Sequence, residues 1–380
     1  MTYYIITYGC QMNKSDSERI AAVLEKSGLK PATTEDEADF IIINMCSVRQ
    51  RSVDKIFKKI SVLRKKNKKV HPVKSPQSGV SKGQFNGAKI YLTGCVLEKD
   101  KKDFQKITDL VFKISDLQKL PKLLQQTTNN KHQTTHYLNI IPKYPNNDFA
   151  YVPIMTGCNN FCSYCVVPYT RGREISRPPE DIIKEIKCLL KNGYKTIWLL
   201  GQNVNSYCYQ QKTKNKKQKT ITFPDLLKKI EAIEGNFEIG FLTSHPKDFS
   251  DELIETITSS KKIKKYIHLP VQAGSDKILK KMNRGYTKKD YLKLVEKIKK
   301  KIPDVELSTD IIVGFPGETK KDFNETVDVV KKVGFKKAYI ACYSPRSGTK
   351  AEKLKDNVPQ KEKERREKIL RKIIKENGKK

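Results

Sequence analysis

Three cysteines crowd one short loop, Gly157-Cys158-Asn159-Asn160-Phe161-Cys162-Ser163-Tyr164-Cys165-Val166, and any fold this chain adopts must keep them close to one another. The spacing is Cys-x3-Cys-x2-Cys, and no fourth cysteine follows closely enough to complete a local set of four. A cubane 4Fe-4S cluster on three thiolates keeps one iron without a protein ligand, and an open metal position is where a small molecule can be bound and activated. Structural zinc usually takes paired hooks and fills four positions. Here the nearest histidines, His136 and His245, are far off in sequence and sit in no hook. Plain burial is the other alternative, and Gly157 with the polar pair Asn159 and Asn160 is poor company for it.

The frame around this loop reads as alternating strands and helices. Early in the chain, Tyr3 to Tyr8 is a strand, and Ser15 with Glu18 gives a capping-box start to a helix carrying Ile20, Val23 and Leu24 and stopping at Gly28. Phe40 to Asn44 and Lys89 to Leu92 are further apolar runs. Alternation of this kind implies a parallel sheet, with the carboxyl ends of its strands along one edge. Cys10, Cys46 and Cys95 each follow one of these strands within a few residues. They are therefore expected to converge, which allows a second three-thiolate cluster; separate burial of each cysteine is the alternative.

Six more strands are expected near Tyr151-Met155, Thr196-Leu200, Glu238-Leu242, Tyr266-Leu269, Glu306-Ile312 and Ala338-Cys342. Each is followed by a polar motif: the cysteine loop, Gly201-Gln202-Asn203, Thr243-Ser244-His245-Pro246, Val271-Gln272-Ala273-Gly274, Gly314-Phe315-Pro316-Gly317-Glu318 and Tyr343-Ser344-Pro345-Arg346. Six units are too few for a closed eight-unit barrel and suit a partial one, with its chemistry at the strands' carboxyl ends. Pro178 and Pro179 precede a helix over Asp181 to Leu190, and another runs from about Lys320 to Gly334. The lysine-rich stretches 64–88 and 211–220 lack an apolar period and read as mobile insertions.

With 380 residues, 37% of them hydrophobic, the chain can build two cores. No apolar run approaches a membrane span, and MTYYIITYGC lacks the layout of an export signal, so a soluble, cytoplasmic protein is expected. An odd count of nine cysteines fits reduced thiols kept for metal. The net charge of +34 suits a polyanion, although lysine outnumbers arginine 64 to 12, as an AT-rich genome could produce without selection for binding.

The cysteine loop resembles that of radical S-adenosylmethionine (SAM) enzymes, and the run MTGCNNFCSYCVVPYTRGREISRP is similar to the tRNA methylthiotransferases. TYGCQMN, LLGQNVNSY, TSHPKDFSDELI, HLPVQAGSDKILKKMNRGYT and STDIIVGFPGE agree, covering the chain from its start to about residue 348. The resemblance implies an α/β protein with a Rossmann- or flavodoxin-like parallel-sheet domain over 1–124 and a partial (β/α)6 radical SAM barrel over 148–349; the stretch 125–147, polar and carrying Pro142 and Pro145, reads as the linker between them, and 350–380 as a charged helical segment. It implies two 4Fe-4S clusters, a radical SAM cluster on Cys158, Cys162 and Cys165 and an auxiliary one on Cys10, Cys46 and Cys95, all six counted as catalytic. SAM contacts are expected from Tyr164, Gln202, Asn203, Ser244, Gln272 and Asp310, each of which could equally serve a turn or cap. Arg171 and Arg173 could pair with the SAM carboxylate or an RNA phosphate, or form surface ion pairs with Glu174 or Glu180. Cys188, Cys208 and Cys342 match no ligand position.

By the same resemblance, a 5'-deoxyadenosyl radical removes hydrogen from C2 of a tRNA adenosine and a methylthio group enters there. The motifs are closest to the branch acting on N6-isopentenyladenosine at tRNA position 37. A tRNA substrate, a flavodoxin- or ferredoxin-type reductant protein, a monomeric state and no membrane partner are the expectations. Met45 before Cys46, Ala273 and the widened gap after Arg64 depart from the family pattern without removing a ligand. The family's C-terminal RNA-binding β-barrel is expected to be absent. In its place residues 350–380 carry thirteen Lys or Arg against six Asp or Glu, able to substitute in part by charge. The alternatives are the same chemistry on a threonylcarbamoyl-adenosine tRNA or a ribosomal protein, and a non-catalytic iron-sulfur or zinc RNA-binding protein.

Overall fold

The computed structural model describes residues 1–70, 87–124, 136–145, 148–212 and 218–377, and the chain divides into two compact units, Met1–Pro145 and Asn146–Lys380. In the first unit, β1 (Thr2–Thr7), β2 (Lys30–Pro31), β3 (Phe40–Cys46), β4 (Lys89–Cys95) and β5 (Leu110–Val111) form a parallel sheet in the order β2-β1-β3-β4-β5. Its helices are α1 (Gln11–Lys26), α2 (Gln50–Val70), α3 (Glu98–Gln105) and the short α4 (Leu120–Leu123).

Strand β3 shows why the sheet is covered on both faces. Phe40 and Ile42 join one apolar cluster with Ile20, Val23 and Leu24 of α1, while Ile41, Ile43 and Met45 join another with Val53, Ile56 and Ile60 of α2. Alternate side chains of a strand point to opposite faces, so a continuous apolar run marks a strand buried from both sides.

Helix α1 starts at Gln11, four residues before the expected Ser15, because Cys10 is its N-cap and the Asn13 side-chain oxygen accepts from the Cys10 N–H at 3.3 Å. Ser15 instead faces inward and accepts from the Arg19 guanidinium at 2.7 Å. The stretch read as a linker over 125–147 also divides. Tyr137, Leu138 and Ile140 are buried in the first unit's core and Lys143 pairs with Glu25 at 2.6 Å, whereas 125–135 and 146–147 lie outside the described residues. Of the insertion expected over 64–88, residues up to Val70 continue α2, and 71–86 are likewise outside.

In the second unit, six parallel strands occur in sequence order as two sheets of three: β6 (Phe149–Pro153), β9 (Thr196–Leu200) and β12 (Glu238–Phe241), then β13 (Tyr266–His268), β14 (Glu306–Val313) and β15 (Lys337–Cys342). Between them come β7 (Met155–Thr156) and β8 (Ile175–Ser176), paired antiparallel, and the hairpin β10 (Cys208–Lys212) and β11 (Gln218–Thr222). The expected second insertion, 211–220, therefore contributes paired strand on both sides of 213–217, which are outside the described residues. Helices α5 (Val167–Thr170), α6 (Pro179–Lys191), α7 (Phe223–Glu231), α8 (Asp251–Ser259), α9 (Asp276–Lys281), α10 (Lys288–Lys301) and α11 (Lys320–Val333) intervene. Gly334 ends α11 in the left-handed conformation, φ 65°, that releases the chain into β15.

The charged C-terminal run forms α12 (Gln360–Asn377), and not all of its charge faces solvent. Arg366 is buried against Glu318 at 2.6 Å, and Glu318 also accepts from the Gly314 N–H. Lys363 is buried beside Asp356 at 2.6 Å. Arg366 thus fastens α12 to the loop after β14, and Lys363 ties it to Asp356 and to the Tyr343 carbonyl at 3.4 Å, so both cations are spent on the fold rather than offered to RNA. Among the described residues, no helix is long and apolar enough to cross a membrane.

Candidate functional site

The cysteine loop leaves β7 and is clamped by backbone contacts at both ends. Gly157 takes φ 79°, and a Cβ there would run into the Arg173 carbonyl. The Cys158 N–H donates to Gly172 O at 3.2 Å, the Ser163 N–H to Met282 O at 3.0 Å, and the Cys165 N–H to Cys162 O at 2.9 Å. Phe161 stands at φ 46°, a conformation rare for a bulky residue, held by the Asn283 amide donating to its carbonyl at 3.1 Å and by the Arg173 guanidinium 4.3 Å from its ring.

Burial pushes the Cys165 thiol up to about 12, with the neighbouring Cys162 adding to it, and burial raises Cys158 in the same way. Crowded, desolvated thiols of this kind ionise only when a cationic centre compensates them, which is what ligation to a metal cluster supplies. The three sulfurs are thus a donor set that suits a cluster.

In the first unit, strand register does the gathering. Cys46 and Cys95 are the last residues of β3 and β4 and lie directly opposite one another. The Cys46 thiol is raised well above its usual range by its hydrogen bond with Cys95, by burial and by the Cys10 sulfur nearby. Cys10 is brought in by Asn13, a fully buried residue whose amide donates to Met45 O at 3.0 Å and to Asn44 Oδ1 at 2.9 Å. Gly94, φ 102°, lets β4 approach Met45 and Asn44 so closely that any side chain there would collide. Among the described residues, no three His, Cys, Asp or Glu side chains form a group suited to a single metal ion. A cubane asks for a wider set, because each thiolate takes its own iron corner.

Of the residues expected to touch SAM, Gln202, Asn203, Ser244 and Gln272 lie just beyond strand ends of the second unit, Asp310 lies within β14 and Tyr164 in the cysteine loop. Gln202 Oε1, Asn203 Oδ1, Ser244 Oγ and Gln272 Oε1 are buried without a hydrogen-bond partner. Buried polar atoms left this way cost free energy until a ligand meets them, so they fit a bound polar molecule. Gln272 holds φ 67° and is tied to β14 through its N–H to Asp310 O at 2.9 Å. Asn203 uses its amide on Asp248 at 2.7 Å, Asp310 meets His268 Nε2 at 3.3 Å, and the Tyr164 hydroxyl accepts from Arg284 at 3.4 Å. Arg171 closes α5 by donating its N–H to Val167 O at 2.8 Å, and Arg173 stacks on Phe161. Glu174 accepts from Ser206 at 2.8 Å, its pKa raised by burial, and Glu180 accepts from Gln211. Cys188 and Cys208 are exposed, and Cys342 is half-buried beside Glu367.

Two residues with no role assigned from sequence stand out. Arg284, 5% exposed, donates to Cys162 Sγ at 3.2 Å, although it lies inside the MNRGY stretch where only its motif membership could have marked it. His245 accepts the Lys247 N–H on Nδ1 at 3.3 Å, leaving Nε2 buried without a partner. Burial first, then the charges of Arg284 and Lys247, drive its pKa down to about 2.

Because folding depresses the His245 pKa, its contribution to stability is complete above the unfolded value near 6.5 and is lost as pH falls below it. The loss is about 1.4 kcal/mol per pH unit at its steepest. Urea unfolding is expected to show the wild type losing about 1.4 kcal/mol more between pH 7.5 and pH 5.5 than His245→Asn, whose side chain can still cap Lys247. Equal slopes for the two proteins would contradict the burial of a neutral imidazole.

Comparison with known proteins agrees with the two-unit division. The Radical SAM superfamily model matches residues 152–330, and the model described as Uncharacterized protein family UPF0004 matches residues 2–114. The chain is 46% identical to a tRNA-2-methylthio-N(6)-dimethylallyladenosine synthase of Carboxydothermus hydrogenoformans, with 96% of this chain and 81% of that protein covered. It is 44% identical to the protein of the same description from Caldicellulosiruptor saccharolyticus, with 99% and 78% covered. In fold it is similar to the radical SAM methyltransferase TsrM of Kitasatospora setae (TM-score 0.57, 12% identity, 90% of this chain and 72% of that one). It is also similar to the cobalamin-dependent SAM radical enzyme OxsB (TM-score 0.56, 12% identity, 100% and 56%).

Proposed function

The chain belongs to the family of tRNA-2-methylthio-N(6)-dimethylallyladenosine synthases, and from that membership we propose that it adds a methylthio group to C2 of N6-(dimethylallyl)adenosine at position 37 of tRNA. It is a radical SAM methylthiotransferase, of a family that works with two 4Fe-4S clusters and SAM. Cys158, Cys162 and Cys165 would hold the cluster that engages SAM, and Cys10, Cys46 and Cys95 the auxiliary one. When bound, these groups supply one-electron cleavage of the SAM sulfonium and the sulfur to be transferred.

The observation that carries this reading is the presence in one chain of two sets of three thiols, one local to a loop and one assembled by strand register. The chain's own contribution is placement. The clamped loop after β7 holds its sulfurs in one orientation, and the buried acceptors of Gln202, Asn203, Ser244 and Gln272 are ready for amino and hydroxyl groups of SAM. Asp310 and Tyr164 complete the proposed contacts. Sheet and barrel fit the finer description too: a doubly wound, Rossmann- or flavodoxin-like first unit and a partial (β/α)6 second unit. The reaction needs single electrons, so a flavodoxin- or ferredoxin-type partner in the cytoplasm is the proposed source.

Nucleoside mass spectrometry tests the assignment directly. In tRNA from a strain lacking the gene, 2-methylthio-N6-(dimethylallyl)adenosine should disappear and its unthiolated precursor accumulate, with both reversed when the gene is restored. No change in any 2-methylthio adenosine would overturn the tRNA reading, and a change confined to threonylcarbamoyl-adenosines would move the substrate.

A further inference from the structure

Asn283 at φ 57° and Gly285 at φ 70° turn the chain after α9 so that Arg284 is directed inward. Every part of its guanidinium is used. Nε donates to the Tyr286 hydroxyl at 3.0 Å, Nη2 to the Pro270 carbonyl at 3.0 Å, and Nη1 to Cys162 Sγ at 3.2 Å and the Tyr164 hydroxyl at 3.4 Å. The Tyr286 hydroxyl in turn donates to Val271 O at 2.9 Å, so the plane of the fork is set before anything binds. Among the described residues, no carboxylate forms an ion pair with Arg284. A guanidinium stays charged at any working pH, and burying one unpaired is expensive. The group it faces is the Cys162 sulfur, and a cluster ligated there would place negative charge beside the guanidinium.

We propose that Arg284 is a positioning residue that sets the reduction potential of the cluster on Cys158, Cys162 and Cys165, through its hydrogen bond to the Cys162 sulfur. The proposal rests on the reading of that triplet as a cluster loop. Hydrogen bonds to the sulfurs and nearby charge are among the determinants of iron-sulfur potentials. Adding an electron makes the centre more negative, so a fixed cation at 3.2 Å from one of its sulfurs favours the reduced form. Arg284 thereby makes the first electron easier to deliver, while Pro270 and Tyr286 keep its fork aimed at Cys162.

The test uses the full chain with Cys10, Cys46 and Cys95 replaced by Ala, so that one cluster remains, reconstituted without oxygen and titrated with reductant under electron paramagnetic resonance. Arg284→Gln, which keeps a donor but loses the charge, is expected to reduce the equilibrium constant for one-electron reduction about tenfold, a shift of about 59 mV to more negative potential. Arg284→Lys, which keeps the charge, should show less than half of that shift. An unchanged potential in Arg284→Gln with about four irons per chain would overturn the proposal. So would equal shifts in the two variants, or loss of the cluster from both, which would make Arg284 a support of the loop alone. Failure of the parent carrying Arg284 to bind iron and sulfide would instead remove the underlying reading of the triplet.

Discussion

Replacing Cys162 by Ala is expected to abolish reductive formation of 5'-deoxyadenosine from SAM, a fall of at least about a thousandfold. Cys162 is the central one of the three proposed ligands, and it alone of them accepts the Arg284 hydrogen bond. With its sulfur gone, Cys158 and the half-buried Cys165 remain, two thiols whose pKa values are raised by desolvation. Two such groups cannot retain a cube that needs three thiolates to leave one corner open, so iron should fall from about eight to about four per chain. The loop's backbone ties, Cys158 to Gly172 and Ser163 to Met282, involve no Cys162 side-chain atom, so the fold should persist. Iron and sulfide analysis together with chromatography of 5'-deoxyadenosine under a strong reductant checks both parts. Undiminished 5'-deoxyadenosine from Cys162→Ala would end the radical mechanism.

Cys46→Ala should give the opposite pattern: the methylthio product lost by about a thousandfold, with 5'-deoxyadenosine still formed. Cys46 belongs to the first unit, whose sheet and two apolar clusters contain no residue of the second. Removing its sulfur deletes the contact with Cys95 and one of three donors, while the β3–β4 pairing beneath it is made by backbone groups that the substitution leaves alone. The expected cost in stability is about 1 kcal/mol. Product analysis on tRNA carrying the dimethylallyl group, run beside the 5'-deoxyadenosine assay, separates the two activities. Normal methylthiolation by this variant would show that Cys46 is no ligand, and parallel loss of both products would show that the two thiol sets do not work independently.

Much of the framework was legible because apolar periodicity survives any tertiary context. The run Phe40 to Asn44 marked β3, and the six later strands appear within a few residues of their expected places. The errors have specific causes. Helix α1 was started too late because a cysteine is not a usual N-cap, and the Asn13 amide that completes the cap is itself held from β3. Polar composition hid the β10–β11 hairpin, since backbone pairing asks little of side chains at an exposed edge. Tyr137, Leu138 and Ile140 fall in a stretch whose polar composition and two prolines read as linker, yet these three apolar side chains are themselves buried in the first unit's core. Lys363 and Arg366 read as surface charge and are buried in ion pairs.

The sequence by itself determined the local thiol set, because a loop joining Cys158 to Cys165 is too short to carry its sulfurs apart. It also determined that polar motifs would follow strands, since the alternation of apolar run and turn is written in order along the chain. Only the tertiary structure decided that Cys46 stands opposite Cys95 with Cys10 beside them, and that Arg284 reaches Cys162 across 122 residues of chain. Contacts of that kind depend on strand register and on turns at positive φ. A register one residue different would turn each strand's side chains to the other face and scatter the same cysteines.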